Sequence, residues 1–235
     1  ALAFHKGLLD GVDDFVSRPE VFYTIIALAI CYGLWCIFRQ RPEDKGPVAT
    51  IFIYMLFNAI FWLCFEQAGS SLNVFTERFT DRTVGGTEIN TPYFQSINPL
   101  LIIILAPILG VFWAGLARRR KQIPQPVKIG LGLFFVGVGY LVMVLAAMKL
   151  GGSVAKVSMI FIIATYLFHT IGEIILSPTG LAYVAKTAPR DQVSSLMGIW
   201  FISSFVAGLM AGKVATLVEP IMEGKQKLPW DLGGD

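Results

Sequence analysis

The sequence predicts an all-α polytopic membrane protein, and three observations carry that expectation. The 235-residue chain is 55% hydrophobic and only 15% charged, far from the composition of soluble domains. Its mean hydropathy is +0.66. Several apolar runs approach or exceed the roughly 20 residues that a helix needs to cross a bilayer core, where a helix satisfies its own backbone polar groups. The net charge of +3 is small and gathers in loops, so it points away from nucleic acid and reports orientation instead.

Residues 1–20 open with ALAFHKGLLDGVDDF, polar enough for an extramembrane approach or an interfacial helix. The stretch has neither an initiator methionine nor the basic–apolar–cleavage pattern of a signal peptide, so the expectation is a piece of a longer polypeptide. A first span covers about 21–38 and is closed by Arg39, Arg41, Pro42 and Lys45; with the approach it makes up residues 1–46. The second begins near Pro47, a residue suited to a first helical turn because its missing amide proton would have no partner there. It is apolar to Phe65 and continues as EQAGSSLNVFTERF to about residue 77, longer than a bilayer requires.

Residues 80–91 are polar and contain glycine, which reads as a loop. The third span, 94–117, runs through Asn98-Pro99 and carries Pro107 as a kink. After the basic turn ARRRKQIPQPVK comes the fourth, 129–148, with glycines at 130, 132, 137 and 139 that leave a smooth surface for close packing. The turn KLGGSVAK leads to the fifth, 157–186, and TAPRDQ to the sixth, 193–218. Residues 47–218 thus form the bundle, and 219–235 a polar external tail or the start of a further connection.

Orientation follows from the basic turns. Those at 39–45, 118–128 and 186–190 are short and rich in Lys and Arg, and they alternate with sparser turns at 67–97 and 149–156. The dense turns are placed in the cytoplasm and both chain ends outside. Cys31, Cys36 and Cys64 all lie in apolar runs, as packed free thiols rather than a disulfide framework or zinc site.

Polar groups inside these spans are the functional candidates. Glu173 falls near the middle of the fifth span, and a carboxylate at that depth survives where it faces protein, water or a substrate. Ser177 and His169 lie four residues to either side, on the same face. Pro178 and Gly180 loosen the helix just beyond, as a solute site in a transporter requires. A protonated, hydrogen-bonded Glu stabilising a kink is the plainer alternative. His169 with Glu173 could begin a metal site, but there is no HExxH and no third ligand, so no metal or cofactor is expected.

In the second span Asn58, Trp62 and Glu66 form one stripe, which suggests a water-lined surface; alternatively Glu66 only marks the end of the apolar run. Gln67 points about 100° away from it. In the sixth span Trp200 and Ser204 repeat the four-residue step, with Ser203 beside them, and Trp200 is too deep for a headgroup belt. Lys213 snorkels to the outer surface. Asn98 either caps its helix or donates into a cavity.

Several stretches together resemble the proton-dependent oligopeptide transporter family of the major facilitator superfamily. They are FWLCFEQAGSSLNVF (61–75), FQSINPLLIII (94–104), RRRKQIPQPVKIGLGL (118–133), GEIILSPTGLAYVAKTAP (172–189) and SLMGIWFISS (195–204), in the family's order and spacing. The resemblance implies part of the C-terminal bundle of that fold. The spans from 47, 94, 129, 157 and 193 look like the seventh to eleventh transmembrane helices, and 21–38 like the second of two inserted helices. No stretch resembles the six N-terminal helices with their ExxER motif, or the twelfth, so transport requires the remaining helices of the same polypeptide.

The implied function is proton-coupled symport of di- and tripeptides across the inner (plasma) membrane, with protons, peptides and membrane lipid as partners. By resemblance Glu66 is the proton-coupling acid, normally facing a first-helix Arg, and Gln67 is a weaker carry-over beside it. Glu173 would hold the peptide's amino terminus; Ser177, Trp62, Asn98, Trp200 and Ser204 would line the pocket. The alternatives are a carrier of another solute, such as nitrate or a glycosylated metabolite, a polytopic membrane enzyme, or a packing subunit without a site. Glu173 argues for an amine-bearing substrate, and the sequence offers no nucleophile–base pair for an enzyme.

Overall fold

The computed structural model describes residues 18–152 and 156–222. Expectations for residues 1–17 and 223–235 lie outside them.

Helix α1, Pro19–Arg39, has Pro19 in its first turn beside Glu20 and Arg39 in its last turn, the charge order that the helix dipole favours. Helix α2, Pro42–Phe65, starts earlier than expected, because Pro42 rather than Pro47 occupies the first turn. Glu43 and Asp44 follow it there, and Pro47 lies inside the helix, where it forgoes the hydrogen bond its amide would have made. The chain then tightens into a 3₁₀ turn, Glu66–Gly69. It breaks at Ser70 (φ −124°, ψ −92°) and resumes as α3, Ser71–Phe79. The long second element is therefore helical almost throughout but jointed.

The loop expected at 80–91 is partly ordered. Strands β2 (Thr83–Val84) and β3 (Thr87–Glu88) form a two-residue hairpin. Gly85 and Gly86 make its turn at φ 57° and 84°, values that glycine adopts without penalty. Strand β1 (Thr80–Asp81) pairs in parallel with β4 (Val157–Ser158), Thr80 opposite Val157. A second 3₁₀ turn, Thr91–Ser96, leads into α4, Ile97–Arg118. Helices α5 (Gln125–Gly152), α6 (Ile160–Thr187) and α7 (Val193–Met222) follow. Neither Pro107 in α4 nor Pro178 in α6 ends its helix.

Among the described residues, five helical stretches are long and apolar enough to cross a membrane: Pro42–Phe79, Thr91–Arg118, Gln125–Leu150, Ile160–Thr187 and Val193–Leu217. The apolar stretch of α1, Tyr23–Arg39, is shorter than these. The β1–β4 pair ties the turn after α3 to the turn before α6, while Gln40 bonds to Gln192 at the opposite end. The basic turns at 39–45 and 186–190 therefore share one end of the bundle, as their alternation with the sparser turns requires.

The closest pairing is α5 against α6, followed by α2 against α7. Of the four glycines expected to smooth α5, Gly132 and Gly139 face α6, while Gly130 and Gly137 meet nothing within 4 Å. A Cβ on Gly172 of α6 would lie 2.6 Å from the Gly132 carbonyl oxygen. This is close backbone approach through small residues, the packing lipid-embedded helices rely on in place of a hydrophobic drive. One apolar cluster joins Ile51, Tyr54 and Phe61 of α2 to Val136, Leu176 and Trp200. Another, around Leu72, Phe94, Ile162 and Tyr166, lies beneath α3. No residue of α4 is buried; Ile103, Ile108 and Val111 are exposed on it.

Candidate functional site

The expected stripe on α2 meets α6 and α7 around one cavity of about 250 Å³, lined by Asn58, Trp62, Glu66, Ser177, Trp200 and Ser204, with Leu181 and Phe201. Trp200 is buried, and a Cβ on Gly180 would fall well inside 3.0 Å of its ring. The indole is therefore seated against the α6 backbone, between pocket and helix contact. Asn58 is 1% exposed. Its Nδ2 donates to Ser203 Oγ at 3.2 Å and Ser204 Oγ at 3.0 Å. Ser203 spends its own proton on the Trp200 carbonyl, 2.6 Å away, so toward Asn58 it can only accept, which fixes the amide's orientation. Asn58 Oδ1 and Ser177 Oγ are left buried and, among the described residues, without partners.

Glu173 and Asn98 do not line that cavity; they form an adjoining polar group one turn along α6 from Ser177. Asn98 Nδ2 donates to Glu173 Oε2 at 2.8 Å and to Thr170 Oγ1 at 3.1 Å, and Thr170 donates in turn to the Tyr166 carbonyl at 2.7 Å. Asn98 thus donates across helices rather than capping α4. The half-buried Glu173 carboxylate has no ion pair among the described residues. Glu66, exposed on the cavity, has none either, and the two acids lie within Coulombic range of each other.

Gln67 sits elsewhere. Its amide is buried, donating to the Ala211 carbonyl at 3.1 Å and the Leu63 carbonyl at 3.3 Å, and accepting from Ser71 Oγ at 2.6 Å and Ser70 Oγ at 3.3 Å. It fastens the joint after α2 to α7. His169 is buried with its ring 5.1 Å from that of Tyr140 and 6.1 Å from that of Phe65, between centroids. The ring lies beside the α5 backbone at Val136 and Gly139, and among the described residues it makes no bond to Glu173. Among the described residues no group of three or more His, Cys, Asp or Glu is placed to hold a metal.

Asn58 was read from the sequence as part of the stripe with Trp62 and Glu66, whereas Leu181, Phe201 and Thr170 were not singled out. Thr170 gave no signal, since its part depends on a residue of another helix.

A family model described as the POT family matches residues 14–230. The chain belongs to the POT family. Among its POT relatives, the peptide transporter YePEPT of Yersinia enterocolitica subsp. palearctica is 36% identical over 195 residues, covering 82% of this chain and 38% of its own length. Dipeptide and tripeptide permease B of Xenorhabdus bovienii is 31% identical, over 83% of this chain and 40% of the relative. Uncharacterized transporter YclF of Bacillus subtilis is 33% identical over 213 residues, 89% and 41% of the two chains. The crystal structure of a peptide transporter POT in complex with sulfate superposes with a TM-score of 0.77 at 26% identity, over 95% of this chain and 47% of that one. The POT chain described here therefore spans about two fifths of the length of these curated relatives. Its fold is part of a major facilitator superfamily bundle, and it is a multi-pass protein of the inner (plasma) membrane.

Proposed function

We propose that this chain supplies the C-terminal half of the substrate cavity of a proton-coupled symporter of di- and tripeptides. The observation that carries the reading is Glu173, a half-buried carboxylate in an apolar helix, held by the Asn98 amide but by no cation among the described residues. A charge at that depth calls for a partner, and a peptide's terminal ammonium forms a charge-assisted hydrogen bond with it that water does not weaken. Trp62 and Trp200 shape the adjoining cavity with rings rather than charges, which suits substrates of varied side chain. Ser177 and Ser204 offer hydroxyls beside them.

Glu66 has the other role. Exposed at the cavity with no ion-pair partner among the described residues, it can exchange a proton for a base as the surroundings change. Gln67 acts on it only indirectly, by fixing the joint that begins at Glu66. The named relatives, a peptide transporter and dipeptide and tripeptide permeases, support the substrate class.

The test is dipeptide uptake by the full-length protein in liposomes, with and without an inward proton gradient. Glu66→Gln abolishes gradient-driven accumulation and leaves peptide exchange. Wild-type accumulation by that variant removes the coupling role, and uptake indifferent to the gradient in the unaltered protein removes symport.

A further inference from the structure

Where α1 ends and α7 begins lies a second cavity, of about 670 Å³, shared by none of the residues assigned to peptide or proton. Its floor is a pair of glutamines. Gln40, 9% exposed, donates through Nε2 to Gln192 Oε1 at 2.7 Å and to the Cys36 carbonyl at 2.9 Å. The floor is thus satisfied internally. The walls are not.

Arg39, Arg41 and Arg190 all line the cavity. The Arg39 guanidinium lies 5.0 Å from the centre of the Trp35 ring. Those of Arg41 and Arg190 are exposed and, among the described residues, have no hydrogen-bond or ion-pair partner. Asp44 and Asp191 also line the cavity without pairing with the arginines, so three cations and two anions leave it one positive charge. The cavity opens beside an apolar face of α1 on which Leu34, Trp35 and Phe38 are 49%, 51% and 71% exposed.

We propose that this cavity binds an anionic phospholipid with a hydroxylated headgroup, of the phosphatidylglycerol class, from the leaflet at the basic end of the bundle. Arginine forks match phosphate oxygens in pairs, and basic pockets at helix ends recognise acidic headgroups. A phosphodiester carries one negative charge, equal and opposite to that of the lining. Asp44 and Asp191 accept from headgroup hydroxyls and oppose a dianion such as inorganic phosphate. The acyl chains cover the apolar face of α1, and Tyr32 and Trp35 stand at the boundary, where amphipathic rings belong. Trp35 of the apolar helix α1 lines the pocket, so the acyl chains of a lipid have a helix to follow where a soluble anion has no such contact, which is why the lipid is the occupant.

The experiment is native mass spectrometry of the full-length protein released from nanodiscs containing equal phosphatidylglycerol and phosphatidylcholine. The wild type retains phosphatidylglycerol preferentially. R41Q/R190Q lowers that retention roughly thirtyfold, at about a kilocalorie per juxtamembrane arginine, and R41K/R190K, which keeps charge but not the fork, falls between. R119Q/R120Q, in another basic turn at the same end, leaves it unchanged. Wild-type retention in R41Q/R190Q, an equal loss in R119Q/R120Q, or displacement of the lipid by millimolar inorganic phosphate would each overturn the proposal.

Discussion

Gly172→Ala tests how tightly the α5–α6 seam sets the position of Glu173, its next neighbour in sequence. The added Cβ would lie 2.6 Å from the Gly132 carbonyl oxygen and 3.2 Å from Phe61 Cε2. Ordinary contact begins at 3.4 Å, so the two backbones must part by about 0.8 Å, and a carbonyl cannot swing aside as a flexible side chain could. Overpacking of this kind costs about 1–3 kcal/mol. The Asn98–Glu173 hydrogen bond is 2.8 Å long, and a displacement of that size along it, in either sense, takes it out of range. A hydrogen bond to a charged group contributes about 1.5–3 kcal/mol, so peptide affinity should fall roughly ten- to hundredfold. Gly137→Ala is the control, on the same α5 but with nothing within 4 Å; exchanging a helical glycine there is neutral or stabilising by up to about 1 kcal/mol. Melting temperature and dipeptide uptake of the two full-length variants give the comparison. If Gly172→Ala melts and transports like Gly137→Ala, the seam does not position the acid and the reasoning fails.

Other outcomes follow from the same geometry. Asn98→Ala removes outright the donor that orients Glu173 and should weaken peptide binding by as much as Gly172→Ala, roughly ten- to hundredfold; unaltered competition by dipeptides would count against that positioning. Gln67→Leu strands the Ser70 and Ser71 hydroxyls and the Ala211 carbonyl. It should destabilise by about 1–3 kcal/mol, read as a lower melting temperature with peptide affinity kept. A loss of affinity with normal melting would instead place Gln67 in the site.

Much of this was legible in the sequence because helical periodicity is local. Asn58, Trp62 and Glu66 were one stripe on paper and are one wall of a cavity; Trp200 and Ser204 are another. What periodicity cannot give is which helix a stripe meets. Glu173 and Ser177 share a face of α6, yet the acid turns to Asn98 on α4 while the serine lines the cavity, a division set by the neighbouring helices. Pro47 looked like a helix start because it heads the apolar run, but Pro42 takes that place, since polar residues too can fill a first turn that projects from the apolar core. The β1–β4 pair was invisible, joining two-residue segments far apart in the chain through backbone bonds alone.

The central claim is that Glu173 receives a peptide's amino terminus. Its most direct test is competition between a dipeptide and its N-acetylated form for uptake by the full-length protein in liposomes, wild type against Glu173→Gln. Strong preference for the free amine in the wild type, lost in the variant, is the predicted result. An undiminished preference in Glu173→Gln would contradict it.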